Sequence, residues 1–97
     1  MFARVSTISG SPEGIANLET QLRENVVPAA RQLPGFKGVL SLADRSSGKT
    51  LTVTLWESEQ AMKDSEEAAN KLRQDAASAM GDEILSVERF EVVLDER

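Results

Sequence analysis

The chain has 97 residues and a formal net charge of −5, with 16 acidic and 11 basic side chains and no cysteine, histidine or tyrosine. Its length predicts one domain over residues 1–97, and the missing side chains exclude disulfides, thiolate sites, histidine metal sites and histidine-based catalysis. The acidic balance argues against a nucleic-acid partner, and no run reaches the ~18 apolar residues of a membrane span, so we expect a cytoplasmic protein.

The first third of the chain predicts a strand followed by a helix. Residues 2–9 favour a strand, and Ser11 with Pro12 is typical of a helix start, as N-cap and first helical residue. Pro28 lacks a backbone N–H, so it is expected to kink this helix or to begin its final turn. The helix is predicted from apolar residues that recur every three or four positions, namely Ile15, Leu18, Leu22, Val26, Ala29 and Leu33.

The middle of the chain predicts a β-hairpin. One strand is expected from Phe36 to Ala43 and another from Thr50 to Trp56, joined by the turn-rich segment 44–49. The second of these strands alternates strictly, with leucine or valine at odd positions and threonine or tryptophan at even positions. Its two faces therefore differ in chemistry.

The last third predicts a second helix and a final strand. Ser58 is a suitable N-cap, an alanine-rich stripe runs from Ala61 to Met80, and Gly81 is typical of a left-handed helix stop. A break in this helix could fall between residues 63 and 67. Residues 83–94 are rich in isoleucine, valine, leucine and phenylalanine, which predicts a long fourth strand.

The order strand, helix, strand, strand, helix, strand is typical of one α+β architecture. Right-handed crossovers convert it into the ferredoxin-like βαββαβ fold, a four-stranded antiparallel sheet with two helices on one face. On the third strand the threonines and Trp56 share one face, and alternation leaves open which face of the sheet lines a cavity. The second and fourth strands carry apolar residues on both faces, which predicts that a second copy covers the sheet in a homodimeric α+β barrel. An ordinary amphipathic sheet with a few exposed apolar residues is the alternative.

Two segments resemble a known family. Residues 31–38 (RQLPGFKG) and residues 55–62 (LWESEQAM) resemble the antibiotic biosynthesis monooxygenase superfamily of dimeric α+β barrels. The resemblance extends over nearly the whole chain. It is specific for the fold and weak for the activity, because the superfamily includes cofactor-free oxygenases of polycyclic phenols or quinols, haem-degrading enzymes and members of no known function.

The resemblance also implies where a site would lie. The family commonly places a tryptophan at the end of the third strand, beside a cavity between sheet and helices, and Trp56 occupies that position. Haem degraders add an asparagine on the first strand and a histidine on the second helix, and this chain has neither there, so haem degradation is not expected. Polyketide oxygenases of the family use tryptophan, asparagine, tyrosine and arginine side chains, of which this chain lacks tyrosine.

The candidate ligand-binding side chains are Trp56, Arg4, Ser6, Thr54, Asn70 and Arg89. Trp56 could stack on an aromatic ligand with its indole N–H free to donate, or it could serve only as a packing anchor at the end of the sheet. Arg4 and Arg89 lie within predicted strands, where a buried guanidinium needs an anionic ligand or a carboxylate such as Glu88 or Glu91.

Two further candidates are placed by periodicity. Ser6 shares a strand face with Arg4, so both could contribute to one cavity. Asn70, on the second helix, could face the same space. None of these positions forms a motif, so the candidates depend on the fold.

The expected function is cofactor-independent oxygenation of a small aromatic or quinol-type molecule, in which the pocket supplies orientation, desolvation and charge stabilisation. No cofactor and no metal ion are expected, because the carboxylates of the second helix are typical of a solvated face. The alternative is a non-catalytic homodimer that binds a small ligand or a protein partner. The absence of histidine, cysteine and tyrosine favours this alternative.

Overall fold

The structure, a computed structural model that describes residues 1–97, contains one four-stranded antiparallel sheet. The strands are β1 (Phe2–Ser9), β2 (Phe36–Ala43), β3 (Lys49–Trp56) and β4 (Glu83–Glu91). Their order across the sheet is β2-β3-β1-β4, so the two crossovers carry the helices and the central strands are β3 and β1. This arrangement confirms the predicted ferredoxin-like α+β fold.

The first crossover is an irregular helix. It consists of a 3₁₀ turn (Pro12–Gly14), α1 (Ile15–Gln21), a π turn (Leu22–Val26) and α2 (Val27–Ala30). Within the π turn the Val27 N–H donates to Leu22 O, five residues back. Pro28 follows directly and has no N–H, so one backbone hydrogen bond of the helix is missing next to the π turn. The kink expected at Pro28 therefore takes the form of a π turn on its N-terminal side.

The second crossover is a helix in two pieces, α3 (Glu59–Asp64) and α4 (Glu66–Met80), separated at Ser65 within the segment where a break was expected. The Ser58 side chain accepts a hydrogen bond from the Ala61 N–H and so caps α3. Gly81, with a φ of 69°, ends α4 in the left-handed conformation. None of the helices has the length and apolar character needed to cross a membrane.

The fourth strand is shorter than the sequence predicts. β4 ends at Glu91, whereas the prediction extended it to Leu94. Glu91 pairs with Phe2 at the start of β1, and one further bond joins the Val92 N–H to Met1 O at 2.9 Å. Val93 and Leu94 follow this last bond and are exposed, outside the strand, despite their β propensity.

The structure decides the orientation of β3, which the sequence left open. Its even positions, with Thr50, Thr52 and Trp56, are buried under the helices, and its odd positions lie on the uncovered face. Strict alternation shows which residues share a face but not which face the helices cover, and threonine can pack its methyl group in a core. The uncovered face is consequently the more apolar one, with Val5, Leu40, Leu42, Leu51, Val53, Leu55 and Phe90.

Candidate functional site

A small cavity lies between the helix-facing side of the sheet and the helices. Its volume is about 60 Å³. The sheet contributes its polar lining from β1 and β3, and the helices contribute a mainly apolar wall. The lining residues on the sheet are Arg4, Ser6, Ile8, Thr52, Thr54 and Trp56. Those on the helical side include Leu18, Leu22, Val26, Ala69, Leu72 and Arg73.

Trp56 closes one end of this cavity at the last residue of β3. Its side chain is 1% exposed, and its ring meets Phe36 edge-on, with centroids 5.6 Å apart and planes at 75°. Gly35, directly before Phe36, has a φ of 82° that suits glycine, and its carbonyl accepts from the N–H of Glu57, the residue after Trp56, at 2.7 Å. The indole Nε1–H donates to Thr54 Oγ1 at 3.0 Å. From the sequence we expected this N–H to be free for a ligand, and in the structure it is already used.

Arg4 is a buried charge beside Trp56. It is 2% exposed, and its guanidinium carbon lies 5.2 Å from the centroid of the tryptophan ring, within cation–π range. Its Nη2 donates to Met62 O at 2.7 Å and to Ser65 Oγ at 3.0 Å. Its Nε and Nη1 are buried without a hydrogen-bond partner. Burial lowers the pKa of Arg4, opposed by Glu66.

Glu66 is the carboxylate that balances this charge, at the start of α4. Its Oε1 lies 3.1 Å from Arg4 Nη2, and it also accepts from Arg89 Nε at 2.8 Å and Arg89 Nη2 at 2.6 Å. The hydrogen bonds from Arg89, followed by those from Arg4, lower the pKa of Glu66 to about 2 against a smaller opposing effect of burial. The partner of both arginines is thus a helix residue, in place of the expected Glu88 or Glu91 on the sheet.

Arg89 lies on β4 directly opposite Arg4 of β1, on the same face of the sheet. Its side chain is partly exposed and forms a bidentate pair with Glu66, which raises the pKa of Arg89. It is not among the residues that line the cavity. Arg89 therefore positions Glu66, and the structure does not place it in contact with a ligand in that cavity.

Arg73 is a cavity residue that the sequence prediction missed. Its side chain is half-buried on α4; Nη2 donates to Asn70 Oδ1 at 3.0 Å, while Nε is buried without a partner. Burial, and then the positive charge of Arg4, lower the pKa of Arg73. The sequence contained one indication that Arg73 lines the cavity: it is a charged residue within the alanine stripe of α4, seven residues after Glu66.

Asn70 does not reach the cavity. It lies on the exposed outer face of α4, where its carbonyl oxygen accepts the hydrogen bond from Arg73. Successive residues are ~100° apart around a helix, so Arg73, three positions further on, lies ~60° around the axis from Asn70, on the inward edge. Of the predicted candidates, the structure brings together Trp56, Arg4, Ser6 and Thr54 and leaves Asn70 and Arg89 outside.

Comparison with known proteins agrees with this geometry. The sequence model of the antibiotic biosynthesis monooxygenase family matches residues 1–70. The uncharacterized protein Rv2558 of Mycobacterium tuberculosis is 32% identical over 94 residues, which cover 97% of this chain and 39% of that protein. This chain thus spans about two fifths of the length of that relative.

Solved structures show the same fold at low sequence identity. The monooxygenase from the gene ActVA-Orf6 of Streptomyces coelicolor, in complex with nanaomycin D, has a TM-score of 0.70 at 21% identity, covering 98% of this chain and 92% of that one. SnoaB of Streptomyces nogalater, described as a cofactor-independent oxygenase, has a TM-score of 0.72 at 15% identity, covering 97% and 94%. Because the family model matches residues 1–70, well over half of the chain, this chain belongs to the antibiotic biosynthesis monooxygenase family.

Proposed function

We propose that this protein is a cofactor-independent monooxygenase that acts on a small aromatic or quinol-type molecule held beside Trp56. The observation that carries the proposal is a mainly apolar cavity between sheet and helices, with one buried tryptophan and one buried guanidinium in its wall. Apolar walls with a few fixed polar groups are typical of small-molecule sites. The family membership and the likeness to SnoaB and ActVA-Orf6 in fold support the choice of chemistry.

The chemistry requires no electron donor other than the substrate. A quinol and dioxygen give a hydroxyquinone and water, because the substrate carbon framework supplies all four electrons that reduce dioxygen. One oxygen atom enters the product and the other leaves as water. The protein then has to orient the ring, exclude water and stabilise the oxyanion from which the electrons depart, which are roles for the apolar wall and the Arg4 charge.

The size of the cavity sets a structural requirement. Sites for drug-sized ligands measure about 300–1,000 Å³, whereas this cavity measures about 60 Å³. A bicyclic ligand therefore binds only if the helical wall moves outward. Leu22 and Val26 belong to both that wall and the π turn, where the regular helical hydrogen-bond pattern is already interrupted.

Oxygen uptake tests the catalytic proposal. With a naphthoquinol or dihydroxyanthracene as substrate, we expect oxygen uptake above the enzyme-free autoxidation rate. Under anaerobic conditions we expect no oxygenated product. Trp56→Phe is expected to lower kcat/KM about tenfold, because it removes the hydrogen bond to Thr54 and weakens the cation–π contact with Arg4. Val93→Ala, at an exposed residue of the C-terminal segment, is the control and should be unaffected. Oxygen uptake that does not exceed the autoxidation rate on any such substrate would refute the proposal.

The second candidate function is ligand binding without catalysis. The observation that favours it is the lack of a general base: the chain has no histidine, and Glu66 beside Arg4 has a pKa of about 2 and is a poor proton acceptor. Ligand binding measured by calorimetry, with no oxygen consumed and no product formed, would support this function over the first.

We further propose that the chain forms a homodimer through the uncovered face of the sheet. Leu40, Leu42 and Phe90 on that face are each about half exposed. Their partners on the neighbouring strands are Val53, Leu51 and Ala3. Burying contiguous apolar area of this kind is favourable. A second copy would supply the same surface and close the two sheets into a barrel.

Light scattering tests the dimer. We expect a mass twice the single-chain 10.6 kDa for the wild type. Leu42→Glu should shift the equilibrium toward the monomer, because it places a charge opposite Leu51 on the apolar face. Val93→Glu, at an exposed residue outside the sheet, is the matched control and should remain dimeric. A wild-type mass near 10.6 kDa would refute the dimer.

A further inference from the structure

The buried polar atoms that lack a partner converge on the cavity. They are Arg4 Nε, Arg4 Nη1, Arg73 Nε, Thr52 Oγ1 and Thr50 Oγ1, and all except that of Thr50 belong to residues of the cavity wall. Every nitrogen among them is a donor, and the threonine hydroxyl can also donate. Native structures leave few buried donors unpaired, so these groups require acceptors that the chain does not supply, from water or from a ligand in the cavity.

The charges around the cavity are also unbalanced. Arg4 on β1, Arg73 on α4 and Arg89 on β4 surround a single carboxylate, Glu66 on α4. Arg89 already holds Glu66 in a bidentate pair, and Arg73 forms no ion pair at all. Arg89 is partly exposed and lies outside the cavity, so the two arginines of the cavity wall, Arg4 and Arg73, share at most one carboxylate. At least one positive charge in the wall is therefore uncompensated, and burial makes such a charge costly.

Water can satisfy the donors but not the charge. A water molecule needs roughly 10–15 Å³ of cavity volume, so the cavity of about 60 Å³ has room for several. Water molecules would accept from Arg4 and Arg73, yet they leave the positive charge uncompensated. An oxyanion supplies both the lone pairs and the negative charge.

We propose that the cavity selects aromatic oxyanions, ligands that enter with an ionised oxygen on the ring or on a carboxylate attached to it. The oxyanion accepts from the free N–H groups of Arg4 and Arg73 and from the Thr52 hydroxyl, while the ring packs against Trp56 and the apolar wall. This inference rests on the proposed function in that the ligand is aromatic, and it assigns the ionised form of the substrate as the form that the cavity binds. The two guanidiniums favour this form over the neutral phenol, so the site can hold the anion without a general base.

Calorimetric titration at neutral pH with two probes of similar shape tests this selectivity. 2-Hydroxy-1,4-naphthoquinone, a vinylogous carboxylic acid, is ionised at neutral pH, and 1,4-naphthoquinone is neutral. We expect the ionised probe to bind the wild type at least about tenfold more tightly, because it alone carries a negative charge that pairs with the two guanidiniums. Arg73→Gln should reduce this preference about fivefold or more, with a much smaller change in the affinity for the neutral probe. Arg31→Gln, an exposed arginine outside the cavity, is the control and should keep the full preference.

The outcomes separate the inference from the proposed function. Equal affinity for the two probes overturns the selectivity and leaves the aromatic ligand intact, whereas binding of neither probe overturns both. A full preference in Arg73→Gln removes Arg73 from the site. Retained binding of the neutral probe shows that the variant is folded. If Arg73→Gln fails to fold, Arg73→Lys keeps the charge without the Nε donor and should show an intermediate preference.

Discussion

Replacing Trp56 with alanine is expected to lower the free energy of unfolding by about 3–5 kcal/mol. The side chain is 1% exposed, packs edge-on against Phe36, hydrogen-bonds to Thr54 and lies over Arg4. Its removal enlarges the existing cavity and takes the aromatic ring away from a buried guanidinium. In a domain of this length the change corresponds to a fall in Tm of roughly 12 °C or more.

Denaturant unfolding followed by circular dichroism measures this loss, because the variant has no tryptophan left for fluorescence. Trp56→Phe is the matched control and should cost about 1–2 kcal/mol, since it keeps most of the ring volume and loses the hydrogen bond. A loss below about 1 kcal/mol for Trp56→Ala would show that the ring is not a core anchor.

Glu66→Gln is expected to destabilise the fold by about 2–3 kcal/mol, because it removes the one carboxylate shared by two arginines. Arg4 cannot move its charge into water, since it is buried in β1 under the helices. The expected cost is below that of a fully buried pair, because a third of the Glu66 side chain is exposed. Glu67→Gln, at the exposed neighbouring glutamate that forms no ion pair, should change stability little.

The pH dependence of stability gives an independent test of the same carboxylate. Hydrogen bonds from Arg89 and Arg4 lower the pKa of Glu66 from its ordinary 4.5 to about 2. The ionised form is therefore favoured by folding, so its stabilisation is present above about pH 4.5 and is lost as the pH falls toward 2. After allowance for solvent screening the loss is about 1–2 kcal/mol. The free energy of unfolding, measured by denaturant titration across this pH range, should show the loss in the wild type and not in Glu66→Gln. Equal slopes of this free energy against pH in the two proteins would contradict the lowered pKa of Glu66.

The local elements could be predicted because their signals are local. Ser58 caps α3 and Gly81 ends α4 through hydrogen bonds and dihedral angles that involve only neighbouring residues. The chain order of strands and helices then leaves few right-handed topologies, and the ferredoxin-like sheet is one of them. The length of β4 could not be read in this way, because it depends on the pairing of β4 with β1.

The candidate site was predictable in part. Arg4 and Ser6 share a face by the period of two along a strand, and Trp56 ends a strictly alternating strand, so their grouping follows from the sequence. Arg73 was missed in favour of Asn70 because an offset of ~60° around the helix axis, which three residues produce, separates the cavity side from the solvent side. A polar residue on an alanine-rich helix does not by itself show on which side it lies.

By itself, the sequence determined the order of the elements, the grouping of side chains on each strand face and the exclusion of histidine- and cysteine-based chemistry. Only the tertiary structure decided that the threonine and tryptophan face of β3 lies under the helices, and that Glu66 lies between Arg4 and Arg89. The physical reason is the range of the interactions. Caps, turns and alternation act between neighbours in the chain, whereas helix packing and the pairing of charges 62 or 23 residues apart are set by how the layers meet.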